Sequence, residues 1–211
     1  MRNIPDFTCP WGAAFLVLQE IPYRREAYCM LQWVVPEGLE GLLEECRRFC
    51  RMMGAERVYA TGAALPGEPA FRIIRMTAPL GESRPTGALL WPLAPENWGD
   101  YRSVYNKAMA QVPAARSLGE RELSRLLEQG GCYFVHRDER LLGLGQVVGN
   151  RLTALVSCAP GQGRLVAETL LSLIQEDTAE LLVAETNRRA VALYQKLGFA
   201  PVGVEETWWE L

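Results

Sequence analysis

The sequence predicts an α/β (α+β) fold in two segments, and three observations predict it. Along the 211 residues apolar positions switch between alternation, the period of strands, and three-four spacing, the period of helices. Glycine and proline clusters punctuate the switches. A strand, a Pro/Gly loop, a helix and a second strand occur in that order twice, in "VVPEGLEGLLEECRRFCRMMGAERVYAT" and in "LVSCAPGQGRLVAETLLSLIQEDTAELLVAET". The second strands of both windows start from Ala-Glu, at Ala55 and Ala179. Duplication of one unit, or the common grammar of such units, produces this likeness.

In the first segment, "GAAFLVLQE" and "EAYCMLQWVV" read as strands. Pro36 and Glu37 open a helix whose apolar stripe is Leu39, Leu42, Leu43, Cys46, Phe49, Cys50 and Met53. Gly54 stops it. Cys46 and Cys50 stand four apart on this helix and share a face. With no CxxC pair or histidine nearby, they read as small buried apolar side chains rather than half a metal site. Strand "ERVYATG", loop "GAALPGEP" and strand "AFRIIRMTA" follow. The stretch "PLGESRPTGALLWPLAPEN" shows no periodicity and reads as a linker. It sets an expected boundary near Leu90, with one domain at 1–90 and another at 91–211.

The second segment reads as helices "DYRSVYNKAMAQV" and "ERELSRLLEQ", then strands "CYFVH", "RLLGLGQVV" and "RLTALVS" joined by hairpin turns. Loop "CAPG", a helix to about Gln175, strand "ELLVAET", helix "RRAVALYQKL" and strand "VGVEETWWEL" complete it. Gly143 and Gly145 fall inside a strand, where they mark a bulge or a close backbone approach. Trp208 and Trp209 alternate across the last strand, so one faces the core.

Hydrophobic residues make up 49% and charged residues 22%, as in globular proteins. A formal charge of −3 and a pI near 5.4 oppose a dedicated nucleic-acid binder. "GAAFLVL" is too short for a signal core, and no run reaches the ~18 apolar residues of a membrane span. The expectation is a soluble, cytoplasmic chain whose six cysteines are reduced. His136, beside "HRDER", reads as a surface strand end.

Two stretches carry chemistry. In "NRRAVALYQKLGF", Ala190, Leu193, Tyr194 and Leu197 share one helix face. Thr186 or Asn187 can cap the N-terminus; Gly198 suits the left-handed stop and Phe199 folds back on the last turn. Only Tyr194 goes beyond helix termination, because a buried phenol wants a hydrogen-bond partner. Upstream, "VSCAPGQGRLVAETLL" is a strand, a tight loop and a helix beginning near Gly163. Free N–H groups and the helix dipole make that N-terminus an anion site, and Arg164 adds a cation. It has neither the GK[ST] of a Walker loop nor G-x-G-x-x-G.

On these residues the second half, about Pro95 to Leu211, resembles the GNAT superfamily of acetyl-CoA-dependent N-acetyltransferases. The element order matches that fold, and "NRRAVALYQKLGF" is similar to the family's final-helix motif. The resemblance implies a mixed central sheet with helices on both faces, preceded by a smaller βαβ-containing unit, a degenerate half-copy. The family's pyrophosphate loop, Q/R-x-x-G-x-G/A, falls on Gln162, Gly163, Arg164, Leu165, Val166 and Ala167, with Gln162 and Ala167 matching and Leu165 in place of glycine. That departure bears on cofactor affinity. A register using Gly161 and Gly163 would put Cys158 at the first position.

The resemblance further implies that Leu155, Val156 and Ser157 offer backbone groups to the pantetheine arm. The N–H groups from Gly163 to Ala167 hold the pyrophosphate, Asn187 reaches the cofactor, and Tyr194 points at the sulfur as the catalytic group. A neutral amine then attacks the thioester directly. A backbone N–H of the 151–157 strand stabilises the oxyanion, and Tyr194 assists the departing thiolate. Proton transfer from a phenol near 10 to a thiolate near 8.5 is uphill by about 2 kcal/mol, so hydrogen bonding serves as well as full donation. Glu185, Glu205 and Glu206 are candidate bases by type only, and a chain of waters is the alternative.

The expected function is acetyl transfer from acetyl-CoA to a primary amine on a small molecule or peptide, without metal, nucleic acid or membrane; a homodimer is compatible with it. Two rivals remain: a CoA-binding or protein-interaction module without activity, and an α/β domain binding another phosphorylated ligand at the loop from Gly161 to Arg164.

Overall fold

A computed structural model describes residues 3–63, 65–81 and 85–211. Parts of the expected N-terminal stretch (residues 1 and 2), of loop 62–69 (Ala64) and of linker 79–97 (82–84) therefore lie outside the described residues. The chain forms two compact units, Met1–Ile73 with Glu205–Leu211, and Ile74–Val204.

In the first unit β1 (Ile4–Cys9), β2 (Gly12–Val17) and β3 (Glu26–Val34) form an antiparallel meander. A short helix α1 (Ile21–Arg24) separates β2 from β3. Helix α2 (Leu39–Met52) then crosses to β4 (Arg57–Thr61), which pairs parallel to β3. Leu42, Cys46 and Cys50 of α2 are fully buried against Ala14, Leu16, Cys29, Val58 and Ala60. The two helical cysteines thus pack as the small apolar side chains their spacing implied. Among the described residues no group of three His, Cys, Asp or Glu side chains is placed to hold a metal.

The opposite face of β3 and β4 carries Tyr28 and Tyr59, stacked at 5.4 Å, with Phe71 and Trp208 edge-on to them. Glu26, 2% exposed, accepts a hydrogen bond from Tyr28 at 2.7 Å and pairs with Arg24 and Arg57. A carboxylate so deeply placed is tolerable only with such partners.

The second unit has strand order β5-β10-β9-β8-β7-β6, where β5 is Phe71–Pro79, β6 Leu89–Pro92, β7 Cys132–Arg137, β8 Arg140–Val148, β9 Arg151–Ser157 and β10 Thr178–Ala184. β6 to β9 are antiparallel and β9–β10 is parallel, so the sheet is mixed. Helices α3 (Trp98–Met109) and α4 (Glu122–Gln129) supply Trp98, Tyr101 and Leu126 to one face, over Phe134, Leu144 and Val156. Helices α5 (Gly163–Leu171) and α6 (Arg188–Lys196) supply Val166, Leu170 and Tyr194 to the other, over Val135. The period of two along the strands assigns neighbouring residues to opposite cores. This is the expected mixed sheet with helices on both faces.

Gly143 and Gly145 of β8 are close approaches, and the β7–β8 register shifts directly beside Gly143, between Val135 and His136. A β-carbon on Gly143 would sit 2.9 Å from Val166, and one on Gly145 would sit 2.4 Å from Leu170. Their absence lets α5 lie directly on the sheet.

Two expectations are corrected. Leu90 stands opposite Val135 within the β6–β7 pair, so the expected boundary near Leu90 falls inside the second unit, and the division lies at Ile73–Ile74. A strand of four residues that ends in Pro92 carries too little alternation to be read. The other correction concerns β11 (Ala200–Glu210), which does not belong wholly to the second unit. Its end pairs with β4, Trp209 opposite Ala60 and Glu210 opposite Tyr59. There Trp208 is buried with Tyr28, while Trp209 packs on the α2 core.

Candidate functional site

Strands β9 and β10 meet at one register position, Arg151 opposite Glu180, secured by the Glu180 N–H to the Asn150 carbonyl at 2.9 Å. Beyond it the described residues show no further pairing toward Ser157 and Ala184. The strands part there, which leaves strand-edge backbone groups available to a ligand. A cavity of about 1280 Å³ occupies this region. It is lined by Leu155, Val156 and Ser157 from β9, by Gly161, Gly163 and Arg164 from the α5 loop, and by Asn187 and Tyr194 from α6.

The α5 loop is shaped by its glycines. Gly161 holds φ +78 with open space around its α-carbon, a conformation only glycine adopts cheaply. Gln162 then stands at the helix N-cap. Its N–H donates to the Ala159 carbonyl at 3.2 Å, and its carbonyl accepts from Val166 at 3.0 Å. The N–H groups of the first turn, at Gly163, Arg164 and Leu165, have no intrahelical acceptor.

This corrects the loop assignment in part. Val166 already donates within the helix and is fully buried, as is Ala167, so neither presents an amide to a ligand. Gln162, Leu165, Val166 and Ala167 do not line the cavity. Leu165 turns its side chain into the core beneath α5; its bulk is directed away from the loop mouth, where the departure from glycine would have mattered. Arg164 is held by Glu168 one turn on, at 2.7 Å. Arg188, Arg189 and Lys196 add three cations to the lining. Their helix was read for its apolar face, and the cations sit on the other.

Helix α6 is terminated as its sequence dictates. The Asn187 Oδ1 accepts from the Ala190 N–H at 3.2 Å, so the cap does not use the amide NH₂ of this cavity-lining residue. At the other end Gly198 has φ +91. The Phe199 N–H reaches the Tyr194 carbonyl and the Gly198 N–H the Gln195 carbonyl, both at 3.0 Å, a Schellman stop. This stop seats Phe199 against the Tyr194 ring, centroids 5.9 Å apart. Tyr194 is 8% exposed, and burial pushes its phenol up to about 12. Among the described residues its hydroxyl has no hydrogen-bond partner. Tyr194 lines the cavity, where a ligand atom can satisfy that hydroxyl.

Other candidates stand apart. Glu185, Glu205 and Glu206 are not among the lining residues, and Glu206 accepts from the Trp208 indole at 2.9 Å in the first unit. His136 lies at the end of β7, its ring 4.7 Å from Trp91. The stretch after α3 was missed: Met109, Gln111, Val112 and Pro113 line the cavity. Pro113 was the one signal of an irregular segment there.

No protein-family model matches this sequence, and no curated protein matches it. Solved structures match its fold. A GCN5-related N-acetyltransferase from Sphaerobacter thermophilus aligns with TM-score 0.56 at 14% identity, covering 94% of this chain and 76% of that one. A tandem GNAT protein from the clavulanic acid biosynthesis pathway aligns with TM-score 0.52 at 19% identity, covering 95% and 78%. A functionally unknown conserved protein from Staphylococcus epidermidis aligns with TM-score 0.57 at 10% identity, covering 98% and 92%. The chain has the fold of the GNAT superfamily, and the likeness extends over both units rather than the second half alone.

Proposed function

We propose that this chain is an N-acetyltransferase that uses acetyl-CoA as cosubstrate and a primary amine as acceptor. The observation that carries the reading is the parting of β9 from β10 beyond Arg151 and Glu180, with a cavity there and a helix N-terminus at its mouth. A slender chain ending in a diphosphate fits this arrangement. The amides of Gly163, Arg164 and Leu165, with the cations Arg164, Arg188, Arg189 and Lys196 near the mouth, suit the diphosphate. The exposed edge of β9 from Leu155 to Ser157 suits the amide groups of a pantetheine arm.

Acetyl-CoA supplies an activated thioester carbonyl; the residues supply position and polarity. An N–H on the open edge of β9 is a preorganised donor for charge developing on the carbonyl oxygen. Tyr194 offers a buried hydroxyl that stays protonated across neutral pH. A phenol near 12 lies about 3.5 units above an ordinary thiol, on the order of 5 kcal/mol against outright proton donation. Its part is therefore a hydrogen bond to the departing sulfur, with water completing the proton transfer.

The test is titration with acetyl-CoA, followed by calorimetry and amide NMR, alongside acetyl transfer to a panel of amines. Shifts concentrated in residues 109–113, 155–165 and 187–194 are expected, with turnover. Unmoved resonances there overturn the reading. Binding without turnover on any amine would leave a CoA-binding module.

A further inference from the structure

We propose that a groove on the first unit binds an extended peptide segment in which apolar and cationic side chains alternate. The groove encloses about 920 Å³. Its apolar walls are Trp11, Leu39, Leu43, Pro66 and Leu211, and Glu37, Glu40 and Glu44 stand among them. Leu39 and Leu43 are four residues apart on α2, as are Glu40 and Glu44, so the members of each pair are neighbours on the helix surface. Arg47 lines the groove one turn further on. From residue 39 to residue 47 the helix rises about 12 Å, the length of about four extended residues. A strand laid along these turns meets apolar and acidic surface by turns.

The walls are held in place by the fold. A β-carbon on Gly41 would lie 2.7 Å from the Trp11 ring, so this glycine lets the indole lie directly on α2. The Trp11 carbonyl accepts from the Val35 N–H at 2.9 Å. The Trp209 indole donates to the Gly67 carbonyl at 3.3 Å, beside Pro66, and the Leu211 N–H donates to the Val58 carbonyl at 2.8 Å. Fixed walls lower the ordering cost of binding. Trp11 is nevertheless 45% exposed, and an exposed tryptophan in a concave apolar surface is the usual anchor of an interface. Charge selects the occupant. Arg47 is paired with Glu44 at 3.5 Å, whereas Glu37 and Glu40 have no ion pair among the described residues. The helix dipole accounts for an acid in the first turn, as at Glu40. It accounts neither for Glu37, ahead of the N-cap Gly38, nor for the exposed indole. Carboxylates beside an aromatic face attract a guanidinium or ammonium by charge and through the ring. The loop into α5 carries the cation Arg164, so the two βαβ windows present opposite signs at the same place in their order.

The experiment titrates the full chain into a hexapeptide of alternating leucine and arginine, its N-terminus blocked by fluorescein. Such a peptide has no primary amine and cannot be an acetyl acceptor. Anisotropy should show saturable binding, weakened at least about tenfold by Trp11→Ala. The double change Glu37→Gln with Glu40→Gln, at exposed positions where the fold is not at stake, should weaken it at least about threefold. A peptide with serine for leucine should bind at least about tenfold more weakly, and one with glutamate for arginine should not bind. No binding of the leucine–arginine peptide at about 1 mM overturns the proposal. So does equal binding by the parent chain and the double glutamine variant, which holds even if Trp11→Ala fails to fold. Spermidine displacing the peptide at equal concentration would leave a site for charge alone and overturn the peptide. Self-association in sedimentation, abolished by Trp11→Ala, would seat a second copy of the chain there instead. None of these readouts involves acetyl-CoA, so their failure leaves the acetyltransferase reading untouched.

Discussion

Tyr194 is the side chain at which packing and the proposed chemistry meet. A leucine would fill the volume, but a phenol there carries a hydroxyl that its neighbours leave unbonded. Tyr194→Phe should lower kcat by about a hundredfold and leave the Kd for acetyl-CoA within about twofold, read by initial rates and calorimetry. An unchanged kcat reduces the residue to packing. The pH dependence has a defined sign. The folded phenol lies near 12 and the free one near 10. Stability from keeping it neutral is thus complete below about pH 10 and is lost as pH climbs through about 12. Activity should show no alkaline limb from this group short of that range, whereas thermal unfolding above pH 10 should be less steeply pH-dependent in Tyr194→Phe. Gly145 is a second residue-scale case. Gly145→Ala forces a β-carbon to 2.4 Å from both Leu170 and the Ala154 carbonyl, and should cost at least about 1–3 kcal/mol, measured by denaturant unfolding.

At the scale of elements, the two βαβ windows noticed in the sequence can be compared directly. In the first unit β3 and β4 stay paired over five positions, from Glu26–Arg57 to Met30–Thr61. In the second, β9 and β10 separate after one. The start of α2 is also occupied: a β-carbon on Gly41 would lie 2.7 Å from the Trp11 ring, and Glu40 stands in the first turn. A diphosphate would meet an aromatic ring and a carboxylate there. Calorimetry should accordingly give one acetyl-CoA per chain, and a stoichiometry of two would contradict this difference between the units. Helix α6 was legible almost to the residue, because Asn187, Gly198 and Phe199 are local signals with local causes. The α5 loop was legible as a tight turn into a helix N-terminus, but the register of its free amides was not. Which amides are free depends on where the helix begins, and Gln162 as N-cap leaves only three. The stretch after α3 was not legible at all, since the Asn106 side chain is joined to the Leu118 backbone by two hydrogen bonds that no periodicity announces.

For the whole molecule, the element order and alternating periods were enough to foresee a mixed sheet covered on both faces. They were not enough to divide the chain. Proline and glycine density pointed to Leu90, whereas the units part inside β5 and again inside β11, at Val204–Glu205. Long-range pairing, such as Trp209 with Ala60, leaves no mark in either local sequence. Deleting residues 205–211 should therefore damage the first unit more than the second. Amide exchange resolved by segment should show β3 and β4 losing protection, and α5 and β8 retaining it.

The pairing of residues 209 and 210 with 59 and 60 bears on how the chain is made. During translation the strands up to β4 emerge early, yet the strand that borders β4 arrives only after the whole second unit has been synthesised. Until then β4 exposes an open edge on a half-finished sheet. A nascent chain arrested before residue 205 should be the form most prone to proteolysis or capture by chaperones.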